Sequence, residues 1–220
     1  MQIEQIDAPD WFRERTPDAP EKLWVRGDPN LVIDPFGERI AIVGSRTCSS
    51  YGRLIARSWS QELAEKTFTV VSGLARGIDT YAHEGAVEAG TGGGLTIAVL
   101  GCGIDQDYPA VNTGLAGSIV GIGGCIVSEY APGVPPAPWQ FPARNRIIAG
   151  LSSSMLVVEA RENSGSLIAA AFAEECATEL YAVPGALTHP GSRGSNQLIA
   201  DGRAKLAMGA DDLVRDLSPF

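Results

Sequence analysis

The sequence predicts an α/β protein with a doubly wound, mostly parallel sheet of Rossmann type and helices on both faces. Short β-rich runs alternate with helical stretches along most of the 220 residues, as repeated βα units require. The strand-like runs are continuously apolar, which is typical of a parallel sheet covered on both faces. Glycines follow several of these runs, at the sheet edge where such folds bind ligands.

Six apolar runs predict the strands of this sheet. They are residues 39–43, 68–72, 95–100, 125–128, 155–159 and 180–183. Helices are predicted over residues 53–66, 79–89 and 166–177. Residues 131–142 contain five prolines, so this segment is predicted to be an extended connector that cannot be a helix or a central strand. An apolar helix is predicted to follow it.

We expect a single domain. Residues 1–38 are predicted to form an N-terminal lead-in that packs on the core, since they offer several large apolar side chains: Trp11, Phe12, Leu23, Trp24 and Val25. Residues 39–220 are predicted to form the Rossmann-like domain itself. The length is sufficient to bury a substantial core.

The net charge of −9 argues against a nucleic-acid partner, because DNA-binding domains are usually basic. The distribution of the charge softens this argument. Between Tyr130 and Val158 there are two arginines and no acid, and arginine outnumbers lysine 14 to 3. Arginine is suited to planar contact with phosphate. A small positive pocket on an acidic protein is therefore compatible with the composition.

The expected location is the cytoplasm, with no membrane partner. No run approaches the ~20 apolar residues that a membrane helix needs. The N-terminus has no basic region followed by an apolar run, so it does not resemble a secretory signal. Four scattered cysteines without a C-x-x-C pair are expected to be reduced and mostly buried.

Four glycine-containing loops follow predicted strands and predict a phosphate-binding edge. They are residues 43–46, 72–79, 101–103 and 164–167. Glycine lets the backbone approach a ligand closely, and the amides that open the following helices favour an anion. The first two loops also contain an arginine each, Arg46 and Arg76.

The patterns of several enzyme classes are missing from the sequence. There is no G-x-G-x-x-G fingerprint, no P-loop and no G-x-S-x-G elbow. The only histidines, His83 and His189, do not have metal-ligand spacing, and His83 is expected to be packed inside a helix. Ser164 and Ser166 have no obvious base partner, so we interpret them as phosphate contacts or helix caps. We expect no catalytic residue, no metal and no cofactor.

Residues 141–151 place Arg144, Asn145 and Arg146 at the start of an apolar helix. Two interpretations remain open. The arginines can be solvated or paired with acids such as Glu129 or Glu159. Alternatively, they face the same edge as Arg46 and Arg76 and contact successive phosphates, and an aromatic residue offers a stacking surface for a base. The candidates for that stacking surface are Phe141, Trp139 and Tyr108.

Taken together, these motifs resemble those of the DNA-processing protein family (DprA, also called Smf). The matching segments occur in the same order along the chain, from about Val43 to Gly202. The matching segments are residues 43–46, 72–79 with 82–83, 98–103 with 108–109 and 112, 128–130, 141–151, 158–160, 164–167, 182–185, and positions 194, 196, 198–199 and 202. The segments 72–79 and 141–151 are the most specific. The resemblance implies an extended Rossmann fold that binds single-stranded DNA in a positive pocket.

The resemblance further implies a role in natural transformation, in which the protein protects incoming single strands and loads the RecA recombinase onto them. It implies a homodimer formed through the C-terminal part of the domain, where Leu198 and Ile199 match. The DNA contacts that it implies are Gly44, Ser45, Arg46, Arg76, Gly77, Arg144, Asn145, Arg146, Ser164, Gly165 and Ser166.

Some features depart from the family pattern. Many members carry a small helical domain before this region and a winged-helix-like domain after it, and we expect neither here. Ala177-Thr178 stands where a Gly-Arg pair is usual, and Arg203 replaces a small residue. RecA binding is accordingly less well supported than DNA binding.

Two other functions compete with this interpretation. One is a nucleotide-sensing binding domain that uses the same phosphate edge. The other is a phosphoribohydrolase of the Lonely-guy type, which uses a P-G-G-x-G-T-x-x-E pattern with a catalytic glutamate. In this sequence that glutamate position falls near Ala169, and a methyl group cannot transfer a proton. We therefore expect a binding protein and not an enzyme.

Overall fold

The computed structural model describes residues 2–90 and 94–215, so the last five residues of the predicted domain lie outside the described part. Nine described strands form one sheet, and nine described α-helices surround it. The strands are Ile3–Asp7 (β1), Lys22–Gly27 (β2), Arg39–Val43 (β3), Thr69–Ser72 (β4), Thr96–Val99 (β5), Cys125–Ser128 (β6), Ser154–Val157 (β7), Glu179–Ala182 (β8) and Lys205–Leu206 (β9). The helices are Asp10–Arg15 (α1), Asn30–Ile33 (α2), Ser50–Glu65 (α3), Ile78–Glu88 (α4), Thr113–Gly121 (α5), Gln140–Gly150 (α6), Gly165–Glu175 (α7), Arg193–Ala200 (α8) and Ala210–Arg215 (α9).

The strand order is β1-β2-β6-β5-β4-β3-β7-β8-β9. All neighbours from β6 to β9 are parallel, whereas β2 pairs antiparallel with β6 and β1 antiparallel with β2. The chain builds the sheet outward from β3 to β6 and then returns to place β7 on the other side of β3. The strand order thus reverses between the neighbouring strands β3 and β7. The predicted doubly wound α/β fold is confirmed.

Successive side chains of each strand enter different cores, because neighbouring residues of a strand point to opposite faces. Ile40 and Ile42 of β3 pack with α3, α4 and α9, whereas Ala41 and Val43 pack with α1, α6, α7 and α8. A third cluster packs α5 against β5 and β6. The sheet is therefore covered on both faces, which explains why its central strands are continuously apolar.

The lead-in supplies two strands that the sequence did not predict. Leu23 and Val25 of β2 are fully buried, whereas the same strand also contains the charged residues Lys22 and Arg26. β1 has only two partly buried residues and lies at the edge of the sheet. Short strands of mixed polarity carry little pattern of their own, so their formation depends on the pairing of β2 with β6 and of β1 with β2.

The helix α6 begins at Gln140, inside the segment that the sequence predicted to be an extended connector. Pro142 therefore lies in the first turn of a helix. A proline is compatible with that position because the first four backbone N–H groups of a helix have no partner within the helix. The prediction of an extended connector holds only for the residues before Gln140.

The turn after α3 contains a residue, Thr67, whose replacement is expected to stabilise the protein. Thr67 has a φ of +71°, and its N–H donates to the Ala64 carbonyl at 2.9 Å while Phe68 N–H donates to the Leu63 carbonyl at 3.1 Å. This left-handed helix end favours glycine, and a β-branched residue is strained there.

We expect Thr67→Gly to raise the free energy of unfolding by about 0.5–1 kcal/mol, which is the relief of left-handed strain less the greater chain entropy of glycine. Denaturant unfolding monitored by circular dichroism measures this. Thr67→Ala is the matched control, because alanine keeps a Cβ in the same backbone conformation. An equal gain from both variants would show that the strain is not the cause.

Candidate functional site

A cavity of 590 Å³ opens at the carboxyl ends of β3 and β7. This is the point where the strand order reverses, and ligands of open α/β sheets bind in that crevice. Three segments form most of its wall: residues 43–46 after β3, residues 141–148 of α6, and residues 164–169 at the start of α7. Its volume is within the range of small-ligand pockets.

The cavity brings together eight of the eleven residues that the sequence analysis singled out for DNA contact. They are Gly44, Ser45, Arg46, Arg144, Asn145, Ser164, Gly165 and Ser166. Arg76, Gly77 and Arg146 do not line it. Of the four loops predicted to share an edge, three contribute to the cavity together with α6: residues 43–46, 72–79 and 164–167. No residue of the fourth loop, residues 101–103, lines it.

The loop after β3 is held rigidly at the cavity rim. Ser45 N–H donates to the Glu159 carbonyl at 2.8 Å, and the Ser45 carbonyl accepts from Ile78 N–H at 3.1 Å. A Cβ at Gly44 would lie 2.6 Å from Ile78 Cγ1, so this position needs glycine. Arg46 is exposed, and its guanidinium lies 5.4 Å from the centre of the Phe141 ring. Arg46 is thus a free cation on a fixed support.

Arg144 lies at the floor of the cavity and is 4% exposed. Its Nη1 donates to the Gly73 carbonyl at 2.6 Å and also to the Val99 carbonyl, so it joins the ends of β4 and β5. Its Nε has no hydrogen-bond partner within the described part of the chain. A Cβ at Gly73 would overlap the guanidinium. Arg144 therefore supports the floor and supplies positive charge from below.

Asp79 is the acidic neighbour of Arg144 at the cavity floor and is buried. Burial raises the pKa of its carboxyl, and Arg144 opposes that rise. Burial likewise lowers the pKa of Arg144, and Asp79 opposes that fall. The two groups thus partly compensate each other's desolvation.

Arg146 faces away from the cavity. It pairs with both carboxylate oxygens of Glu129, at 2.8 and 2.7 Å, and donates to the Asp18 carbonyl at 3.1 Å. Residues two apart on a helix point roughly 200° apart, so Arg144 and Arg146 cannot both face one cavity. Of the two interpretations open for Arg146, ion pairing with Glu129 is the one found.

Arg76 and Gly77 lie on the loop before α4, outside the cavity. Arg76 is exposed. Gly77 has a φ of +80°, and a Cβ there would lie 2.7 Å from the Arg46 carbonyl carbon. Gly77 therefore allows its loop to pack against the Arg46 loop, which is a positioning role, and it does not line the ligand space.

The start of α7 presents unpaired polar groups to the cavity. The Ser164 hydroxyl is buried and has no hydrogen-bond partner among residues 2–90 and 94–215, although Ser164 occupies the capping position. Asn145 Nδ2 donates to the Gly165 carbonyl at 3.3 Å, which ties α6 to this turn. An unsatisfied hydroxyl and the positive end of an 11-residue helix together suit an anionic ligand.

The sequence analysis missed Arg161, which is exposed and lines the cavity. Arg161 follows β7 as Arg46 follows β3, so the rule that selected Arg46 would have found it. Tyr108 and Phe141 also line the cavity; their rings stack at 5.3 Å with an interplanar angle of 28°. Both were named as stacking candidates, but their pairing depends on tertiary structure.

Leu198 and Ile199, the two residues expected at a dimer surface, differ in how exposed they are. Leu198 is 2% exposed and packs in the core of its own chain. Ile199 is partly buried against the same core. Leu198 therefore anchors α8 to the core of its own chain, and a dimer contact through Leu198 and Ile199 stays a prediction.

Three further features concern residues 2–90 and 94–215. No cluster of three or more histidine, cysteine or acidic side chains there could hold a metal ion. No helix within these ranges is long and apolar enough to cross a membrane. The cysteines are free, and Cys102, Cys125 and Cys176 are buried.

A sequence model of the family described as DNA recombination-mediator protein A matches residues 2–218. Protein Smf of Escherichia coli (strain K12) is 42% identical over 202 residues, which cover 92% of this chain and 52% of that protein. DNA processing protein DprA of Streptococcus pneumoniae is 40% identical over 210 residues, which cover 96% of this chain and 71% of that protein. The chain thus spans about half the length of Smf.

Solved structures with the same fold are also similar in sequence. The X-ray structure of DNA processing protein A from Streptococcus pneumoniae superposes with a TM-score of 0.87 at 39% identity and covers all of this chain and 75% of that one. A structure of DNA processing protein A from Helicobacter pylori has a TM-score of 0.86 at 29% identity, and the match covers 98% of this chain and 95% of that one. That structure was described for its single-stranded DNA binding mode.

Proposed function

The chain belongs to the DNA recombination-mediator protein A family, and we propose that it binds single-stranded DNA in the cavity at the carboxyl ends of β3 and β7. The observation that carries this proposal is the composition of the cavity wall. Arg46 and Arg161 are exposed on it and Arg144 underlies it. Ser164 also lines it, with a buried hydroxyl that has no partner among the described residues. These groups are suited to phosphates.

The proposed binding is tolerant of sequence. Arginines and loop amides hold phosphates, and phosphate contacts position a nucleic acid without reading its bases. A confined cavity fits a flexible single strand better than a rigid duplex. The overall charge of −9 limits nonspecific attraction elsewhere on the surface, so binding is concentrated at this local positive site.

The proposed activity is binding without catalysis. Ala169, which stands near the position of the glutamate in the Lonely-guy pattern, lines the cavity and offers no acid or base. A mononucleotide-sensing function would use the same arginines. It would be recognised by tight binding of a mononucleotide that competes with DNA.

The wider role that we propose follows from family membership and from the relatives' names. The chain would act in the cytoplasm in natural transformation and recombination, protect single strands and pass them to the RecA recombinase, as a homodimer. Because this chain spans about half of Smf, each of these steps needs its own test. Sedimentation at increasing concentration tests the dimer, and RecA filament assembly on coated strands tests the transfer.

We expect Arg46→Ala to weaken binding of fluorescent oligo-dT by about tenfold or more, because one charge-assisted contact with phosphate is lost. The slope of log K against log salt should become shallower by about 0.7, the value for one phosphate of a single strand. Titrations at several salt concentrations, with duplex of equal length as competitor, measure both quantities.

Arg13→Ala is the matched control, since Arg13 is also exposed but lies on α1, outside the cavity wall. Both variants remove one positive charge from the protein. If Arg13→Ala weakens binding as much as Arg46→Ala, net charge and not the cavity governs binding. Failure of the unaltered protein to bind at low salt would overturn the proposed function.

A further inference from the structure

A second aromatic surface lies beside the cavity and has no part in the site described above. Trp139 is 64% exposed, and its ring meets Tyr130 edge to face, with centroids 6.0 Å apart and planes at 83°. We call Trp139 and Tyr130 the outer aromatic pair. Pro138, which directly precedes Trp139, lines the cavity, so the pair begins where the cavity wall ends.

The outer aromatic pair is held in place by an ion pair behind it. Arg146 donates to both carboxylate oxygens of Glu129 at 2.8 and 2.7 Å, and Glu129 directly precedes Tyr130 in the chain. Arg146 also donates to the Ala143 carbonyl at 2.9 Å, which attaches the network to α6. Burial and Glu129 raise the pKa of Tyr130 to about 12, so its hydroxyl remains a donor.

An exposed indole on a rigid support is suited to a flat apolar ligand. Every nucleobase presents such a face, and stacking on aromatic side chains is how proteins bind single strands regardless of sequence. The acid nearest the pair, Glu129, is neutralised by Arg146, so it does not repel a phosphodiester backbone. The stacked Tyr108 and Phe141 rings line the cavity, and the outer aromatic pair continues the aromatic surface past Pro138.

We propose that the outer aromatic pair stacks a base of the strand where it leaves the cavity, and that Arg146 is a positioning residue for that pair. This inference rests on the proposed function. It assigns a role to Arg146 that does not require contact with phosphate. It also means that the strand is bound by phosphate contacts inside the cavity and by a base contact outside it.

The test compares two ligands of equal charge. Trp139→Ala should bind a dT 20-mer at least tenfold more weakly than the unaltered protein, in line with the loss of one stacked base. Binding of a 20-mer of abasic sugar-phosphate units should change less than twofold. The salt slope should not change, because no phosphate contact is lost. Phe36→Ala is the matched control, since Phe36 is 89% exposed and does not line the cavity.

Fluorescence gives a second measurement. Tryptophan emission should fall when dT 20-mer binds, and Trp139→Phe should abolish most of that fall while it retains binding, because Trp11, Trp24 and Trp59 are less exposed. The double variant Arg146→Ala with Glu129→Gln removes the ion pair without leaving an unpaired acid, and it should weaken dT binding without a change in salt slope. It should add no further loss in the Trp139→Ala background, as expected for a residue that acts through Trp139.

The outcomes separate this inference from the proposed function. If the unaltered protein binds dT but Trp139→Ala binds it equally well, the stacking proposal is overturned and the surface is left for a protein partner. A shallower salt slope in the double variant Arg146→Ala with Glu129→Gln would instead make Arg146 a phosphate contact. If the unaltered protein binds neither ligand, the proposed function fails first.

Discussion

Arg144→Ala is expected to lower the free energy of unfolding by about 3–5 kcal/mol, the cost of leaving several buried polar groups without their partner. Two buried carbonyls, Gly73 O and Val99 O, would lose their donor. Asp79 would remain buried without the cation that opposes its desolvation. Because the ends of β4 and β5 form the cavity floor through Arg144, DNA binding should also be lost.

Urea unfolding and oligo-dT titration of the same samples measure these two effects. Arg46→Ala is the matched comparison, because Arg46 is exposed and exposed substitutions usually change stability by less than ~0.5 kcal/mol. Arg46→Ala should lose binding and keep stability, whereas Arg144→Ala should lose both. If Arg144→Ala were as stable as the unaltered protein, Arg144 would be an ordinary ligand contact and not a support.

His83 is expected to produce a large acid sensitivity. It is fully buried, and burial, with a further contribution from Arg144, lowers its pKa from 6.5 to about 3. The unfolded chain therefore binds a proton that the folded protein rejects. Stability is complete above pH 6.5 and is lost as the pH falls toward 3, by about 3 kcal/mol between pH 7.5 and pH 4.

His83→Asn removes this titration and offers an amide to the Thr96 hydroxyl. Thr96 Oγ1 donates to the Val70 carbonyl at 2.7 Å, so the histidine Nδ1, which lies 2.7 Å from that oxygen, carries the ring proton. The difference in unfolding free energy between pH 7.5 and pH 4 should be about 3 kcal/mol smaller in the variant. His189→Asn, at a half-exposed loop histidine, is the matched control. Equal pH dependence in His83→Asn and the unaltered protein would refute the prediction.

The six central strands could be predicted because both faces of each are buried. A continuous apolar run then needs no knowledge of its neighbours. The same reasoning fails for β1 and β2, whose residues are of mixed polarity and whose position depends on the antiparallel register of β2 with β6. Helix α6 was predicted to start too late because prolines were treated as helix breakers even where a first turn tolerates them.

The candidate site was predictable at the level of loops. Glycines after parallel strands lie at one edge, so the loops that contain Gly44 and Gly165 were expected to meet, and they line one cavity. The direction of each side chain was not predictable in this way. Arg144 and Arg146 are two residues apart, and helical geometry alone separates them, but which of them faces the cavity depends on how α6 packs on the sheet.

The sequence by itself determined the fold class, the sheet edge that carries the site and the family, since these depend on local apolar runs, glycine positions and short motifs. Only the tertiary structure decided which charges are free. It buries Arg144 beneath the floor, pairs Arg146 with Glu129 and leaves Arg46 and Arg161 exposed on the cavity wall. The physical reason is that a charge is available to a ligand only if no neighbour has already neutralised or desolvated it, and those neighbours are distant in the chain.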